Sequence, residues 1–201
     1  MRPLDAAASA EALYAASQGQ PAIWTYLPYG PFDGPAQLEQ MLRDAEASHD
    51  PLFFAFCPLP DERPAGVAAY LRITAEHGVI EIGHIWLGTW LQRTTAATEG
   101  IYLLASHAFD QLGYRRFEWK CDALNAASRR AAERFGFRFE GVFRKHQVIK
   151  GRNRDTAWFA ITDDEWPRLR RGYEQWLDPR NFDTAGRQRR RLLDLIRAEQ
   201  A

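Results

Sequence analysis

Val79-Ile80-Glu81-Ile82-Gly83-His84-Ile85-Trp86-Leu87 is an apolar run of strand character. It is followed by the short loop Leu91-Gln92-Arg93-Thr94-Thr95-Ala96-Ala97-Thr98-Glu99 and then by a helical pattern. The helix expected over Ala97–Leu112 carries Ala97, Ile101, Leu104, Ala105, Ala108 and Leu112 at 3.6-residue spacing, and Gly113 stands where a C-terminal glycine ends a helix. Phe117–Cys121 reads as the next strand. Asn125 then caps a second helix, Ala126–Phe135, that closes on Gly136-Phe137. Strand, helix, strand across 79–121 is a βαβ unit, so its two strands are expected to be parallel. The first helix starts without bulky side chains near its free N–H groups. Those donors and the positive dipole end face one point, which suits an anion such as a phosphate.

Working outward, Leu4–Ser17 is alanine-rich and helical in pattern, and Pro35–Ser48 places Leu38, Met41 and Leu42 on one helix face. Between them lies Trp24–Gly34, whose prolines and glycines exclude regular structure. Its aromatics, Trp24 to Phe32, mark a lid that packs on the core or lines a pocket. Leu52–Cys57 and Gly66–Thr74 read as strands, the second joined to Val79–Leu87 by a turn at His77-Gly78. Phe139–Val148 and Thr156–Thr162 flank a turn at Lys150–Asp155. From Asp163 the pattern is helical, through Trp166, Leu169, Tyr173, Trp176 and Leu177, and Gly186–Glu199 forms a last Arg-rich helix. The expectation is an α/β (α+β) fold, a mixed central sheet covered by helices. Residues 1–162 would form the domain. Residues 163–201 would be a helical extension packed on the same domain or on a partner subunit.

Composition narrows the function. Lys plus Arg equals Asp plus Glu at 26 each, so no basic field for nucleic acid exists. No apolar run approaches the ~20 residues of a membrane span, and the start of the chain lacks a secretory signal. Cys57 and Cys121 make no disulfide framework, which points to a reduced, cytoplasmic protein. The histidines at 49, 77, 84, 107 and 146 are scattered, so no metal site is expected.

Taken together, these motifs resemble the GNAT family of N-acetyltransferases, and within it the RimJ/RimL branch. The family's cofactor loop has the form Q/R-x-x-G-x-G/A between a strand and a helix. Gln92-Arg93-Thr94-Thr95-Ala96-Ala97 fits its first and last positions, with Thr95 where the middle glycine is expected. Glu81-Ile82-Gly83, Asn125-x-x-Ser128, Gly136-Phe137 and Asp155 before the last strand also match. The resemblance covers roughly residues 20–165. It implies acetyl transfer from acetyl-CoA to a primary amine, by direct attack in a ternary complex. The acceptor would be a small molecule or a protein N-terminus. The alternative is a non-catalytic acyl-CoA-binding or regulatory module on the same fold.

The resemblance also distributes roles. Backbone N–H groups of Gln92, Arg93, Thr94, Thr95, Ala96 and Ala97 would hold the pyrophosphate. A glycine at position 95 would let the backbone approach closely, so Thr95 must avoid positive φ or lend its hydroxyl. Ile85, Trp86 and Leu87 would pair with the pantetheine amides as an added strand does. Asn125 would bond the pantetheine arm, and Ser128 would lie near the sulfur and protonate the leaving thiolate. Many relatives use a tyrosine farther along that helix, where this chain has Ala132.

Each role has a plain structural counterpart: a capped turn at the loop, core strand residues at 85–87, and an N-cap at Asn125. A base must remove an ammonium proton. Glu81 is the first candidate, on alternation sharing a strand face with Gly83 and Ile85; its counterpart is a structural glutamate paired with an arginine. His84 is expected on the opposite face, and His146 is a third candidate. The basic run Arg138, Arg144, Lys145, Lys150, Arg152, Arg154 would guide the 3′-phosphate of CoA or an anionic substrate, or form a solvated hairpin. The Arg187–Arg191 cluster suits a protein contact, and a homodimer is among the arrangements left open.

Overall fold

The computed structural model describes residues 1–199. Its elements in order are β1 (Arg2–Pro3), α1 (Ala6–Ser17), α2 (Pro35–Glu46), β2 (Leu52–Ala55), β3 (Gly66–Thr74), β4 (Val79–Leu87), α3 (Thr95–Ser106), β5 (Arg116–Asp122), α4 (Ala126–Arg134), β6 (Arg138–Ile149), β7 (Arg152–Thr162), α5 (Trp166–Leu177) and α6 (Leu192–Ala198). The strands form one mixed sheet in the order β1-β2-β3-β4-β5-β7-β6. β4 and β5 are parallel, as a helical crossover requires, and every other neighbouring pair is antiparallel.

Each sheet face buries its own apolar cluster. Ile80, Ile82, Phe117, Trp119 and Phe159 pack with Ile101 and Leu104 of α3, with Trp166, Leu169 and Tyr173 of α5, and with Leu195 and Ile196 of α6. On the other face, Phe53, Val67, Ala69 and Trp86 pack with Leu13 of α1, Leu38 and Leu42 of α2, and Trp24. The α5 and α6 residues thus share a core with the sheet. Gly136 shows why α4 closes on Gly-Phe. Its φ is +88°, and a Cβ there would lie 2.4 Å from Leu169 Cδ2, so glycine permits both the turn and the approach of α5.

Three segments depart from the periodic reading. The helix predicted over Ala97–Leu112 starts at Thr95 and passes into a π-turn at His107–Gln111. Gly186–Glu199 is helical only over Leu192–Ala198. Side-chain acceptors capture the backbone before it: Asp183 Oδ1 accepts from the N–H groups of Ala185 and Arg187, and Asn181 Oδ1 from that of Arg190. Asp155 lies inside β7 rather than before it. Its carboxylate accepts from the Lys145 N–H at 2.8 Å, and Lys145 has a φ of 52° in the bulge where β6 slips against β7.

Candidate active site

The β4–β5 pairing covers only Val79–Ile82 against Arg116–Trp119. Beyond it the pairing stops, and among the described residues Gly83–Leu87 has no partner strand on that side. A bulge is the cause. The register steps from Ala69 opposite Gly83 to Val67 opposite Trp86, so β4 carries one extra residue, and His84 takes a φ of 51°. The extra residue reverses the alternation. Ile80, Ile82, Ile85 and Leu87 pack with the α3–α5 cluster, whereas Trp86 belongs to the α1–α2 cluster. Glu81 and Ile85 therefore do not share a face. His84, expected opposite Glu81, instead stacks on Tyr29 with ring centroids 5.6 Å apart and lies 5.0 Å from Phe53.

At the wide end of this slot stands the start of α3. The Thr94 hydroxyl accepts from the Ala97 N–H at 3.2 Å and donates to the Leu91 carbonyl at 2.7 Å. Among the described residues, the N–H groups of Thr95 and Ala96 have no acceptor. Thr95 is the first helical residue, and the positive φ of the loop falls on Arg93, at 62°. The residue that replaces glycine therefore needs no special backbone conformation. Gln92 turns its side chain inward, donating to the Leu87 carbonyl at 2.9 Å, which ties the loop to the end of β4. Free donors at a helix start and an unpaired strand edge suit a pyrophosphate with an amide-bearing arm.

The slot opens at its inner end into a cavity of about 240 Å³, lined among others by Tyr26, Glu81, His84, Ile85, Asn125, Ser128 and Arg154. Ser128 Oγ accepts from the Trp119 indole N–H at 2.9 Å, so its own proton remains available to donate. Asn125 Oδ1 accepts from the Ser128 N–H at 3.0 Å as the cap of α4, which leaves its amide N–H₂ unengaged. Glu81 is buried, and its Oε2 accepts from Arg72 at 2.8 Å and Lys120 Nζ at 2.9 Å. Lys120 also meets Glu118 Oε2 at 2.6 Å and lies 3.8 Å from the centre of the Trp158 ring. Among the described residues, Glu81 Oε1 has no hydrogen-bond partner. Burial, reinforced by Arg72 and Arg154, lowers the His84 pKa to about 4, so its imidazole is neutral at pH 7.

The segment between α1 and α2 covers the cavity. Ile23, Tyr26, Leu27 and Pro28 line it. Trp24 turns inward onto Phe32 and Trp86, each with centroids 5.2 Å away. Lys150 Nζ donates to the Trp24, Tyr29 and Gly30 carbonyls at 2.9, 2.9 and 2.6 Å, tying the lid to the β6–β7 turn. The Tyr26 hydroxyl donates to the Leu124 carbonyl at 3.2 Å. Gly30 has a φ of +65°, and a Cβ there would lie 2.6 Å from the Trp24 ring.

Of the residues singled out from sequence, Glu81, His84, Ile85, Asn125 and Ser128 line this one cavity. Trp86 is buried among lid residues, and Gln92–Ala97 forms the separate helix-start site. His146 bonds Thr156 Oγ1 at 2.9 Å and is not part of the lining. Sequence reading did not single out Arg72 or Lys120, it placed Arg154 only in a basic run, and it named Tyr26 only as part of the aromatic lid segment. Alternation along β7 and β5 was the available signal for Arg154 and Lys120. Among the described residues no three or more His, Cys, Asp or Glu are grouped to hold a metal ion, and no helix is long and apolar enough to cross a membrane.

The profile of the acetyltransferase (GNAT) domain matches residues 1–138. A GCN5-related N-acetyltransferase from Brucella melitensis superposes with a TM-score of 0.95 at 48% identity, covering 97% of this chain and 89% of its own. A GNAT-family structure from Chromobacterium violaceum ATCC 12472 superposes with a TM-score of 0.77 at 43% identity, covering 82% and 83%. No curated protein matches the chain at a significant level.

Proposed function

The chain belongs to the GNAT family and is an acetyl-CoA-dependent acyltransferase, and from that premise we propose that it acetylates the primary amine of a small molecule by direct attack in a ternary complex. One observation carries this reading. The slot between β4 and β5 ends in a lidded cavity of about 240 Å³, with an acid candidate, Ser128, and a carboxylate, Glu81, both in its wall. A volume of that size suits a small acceptor rather than a folded partner.

In this mechanism the helix start at Thr95 and Ala96 holds the pyrophosphate, and the free edge of Gly83–Leu87 pairs with the pantetheine amides. A strand N–H near Ile85 polarises the thioester carbonyl. Glu81, held in place by Arg72 and Lys120, draws the acceptor ammonium with Oε1 and takes its proton directly or through one water. The freed amine attacks the carbonyl carbon. As the C–S bond breaks, Ser128 donates its proton to the departing thiolate and regains one from the new amide nitrogen, which sheds its second proton; the Trp119 indole fixes the hydroxyl. The depressed pKa of His84 makes it a weak base, so its part is to build the cavity wall with Tyr29.

Calorimetry with acetyl-CoA, followed by a thiol-release screen over amines and N-terminal peptides, tests this reading. Micromolar binding and CoA release with small amines are expected. No binding of any CoA species would refute it, and turnover of peptides alone would replace the small-molecule acceptor.

A further inference from the structure

The charges of the cavity do not pair off. Arg72 and Lys120 both bind Glu81 Oε2, and Lys120 has Glu118 in addition. Asp122 Oδ1 accepts from the Leu124 N–H at 2.8 Å, and among the described residues its carboxylate acts on Arg154 only from beyond ion-pair distance. Arg154 is left over. It lines the cavity half-buried, its Nε is buried without a partner, and among the described residues its guanidinium has neither a hydrogen bond nor a carboxylate within 4.0 Å. An arginine carries five N–H donors and does not discharge. Burying its Nε–H donor with no acceptor costs free energy, while the terminal N–H groups stay open to the cavity.

Its position narrows what would satisfy it. Lys120 stands opposite Trp158 and Asp122 opposite Thr156, while Trp119, Cys121, Ala157 and Phe159 fall in the α3–α5 cluster. Alternation along β7 then places Arg154 with Trp158 and Lys120, on the Glu81 side of the sheet. The start of α3 packs on the other side, so the pyrophosphate of the cosubstrate lies across the sheet from this arginine.

We propose that the acceptor is a small zwitterion, an amine that also bears a carboxylate or phosphate, with the anionic group bound by Arg154 and the ammonium facing Glu81. This rests on the acetyltransferase reading above and supplies the substrate class of the same cavity. Arg72 is committed to Glu81 and Lys150 to the lid carbonyls, which leaves Arg154 as the free fork for bidentate recognition.

The test is calorimetry on the full chain, free and saturated with CoA. Each α-amino acid is compared with its α-carboxamide, and O-phosphoethanolamine with ethanolamine. At least one anionic member is expected to bind about tenfold or more tightly than its neutral match, the scale of one charge-assisted contact. The two series separate carboxylate from phosphate. Arg154→Gln is expected to erase that preference while holding or raising Tm, because it removes an unpartnered cation; Arg154→Lys restores part of it. A merely structural arginine would lower Tm and leave the preference intact, which overturns the proposal. So does the absence of binding by any anionic amine, or equal binding of acids and amides. Failure of acetyl-CoA to bind would sink the acetyltransferase reading separately, since the anion titrations on free protein do not depend on it.

Discussion

Glu81→Gln preserves the shape of the side chain and removes its charge, so it separates the structural and chemical roles of one residue. Glu81 is 3% exposed and accepts from Arg72 and Lys120 through Oε2. Arg72 is half exposed, so that pair contributes at most about 1 kcal/mol. Lys120 is 6% exposed, and removing one partner of a buried pair costs about 3–5 kcal/mol. Lys120 keeps Glu118 at 2.6 Å and the Trp158 ring, which brings its share to the low end or below. The sum is about 2–3 kcal/mol. For a chain of this size that corresponds to a fall in Tm of about 5–10 °C.

Chemistry adds a second readout. A positioned base contributes about 100-fold or more, and this one is needed only while the acceptor is an ammonium. The deficit in kcat/KM is therefore expected near 100-fold at pH 7 and should shrink steadily as the acceptor deprotonates towards pH 9.5. Thermal melting and a pH-rate profile of both proteins measure the two effects. An unchanged Tm would refute the ion-pair reasoning. A deficit that stays constant from pH 7 to 9.5 would refute the proton-acceptor role.

Three further outcomes follow from the same geometry. Ser128→Ala is expected to lower kcat about 10–100-fold with acetyl-CoA affinity held within about twofold by calorimetry; full activity would remove Ser128 as the acid. The folded-state pKa of His84, about 4, lies below the 6.5 of the unfolded chain. Its contribution to stability is thus complete above pH 6.5 and lost as pH falls towards 4. Urea titrations of the protein and of His84→Phe should diverge over that window by about 1–3 kcal/mol, and parallel curves would contradict the buried neutral imidazole. Gly30→Ala combines a strained positive φ with a Cβ 2.6 Å from the Trp24 ring. A loss of about 1–3 kcal/mol and a raised acceptor KM are expected, with acetyl-CoA binding unchanged; a raised acetyl-CoA Kd would mean that the lid supports the wrong half of the site.

Local patterns carried well where each residue's conformation depends on near neighbours. The strand Val79–Leu87, the cap at Asn125, the glycine ends at Gly113 and Gly136 and the parallel βαβ unit were all legible. Alternation failed at His84, because a bulge adds a residue without leaving a sequence mark. Periodicity failed at 186–191, where Asn181 and Asp183 capture the backbone that a helix would use.

Sequence alone determined the mixed sheet and the anion-suited helix start, since period and cap chemistry are properties of the chain; Glu81, Asn125 and Ser128 entered as candidates through the family resemblance. Tertiary structure decided what those residues can do. The bulge turned His84 onto the Glu81 side, Arg72 and Lys120 converged on Glu81 from other strands, and Arg154 kept no hydrogen bond or ion pair among the described residues. These are electrostatic and packing facts between residues far apart in sequence. No local pattern encodes them, because pairing, burial and face exist only once the strands have met.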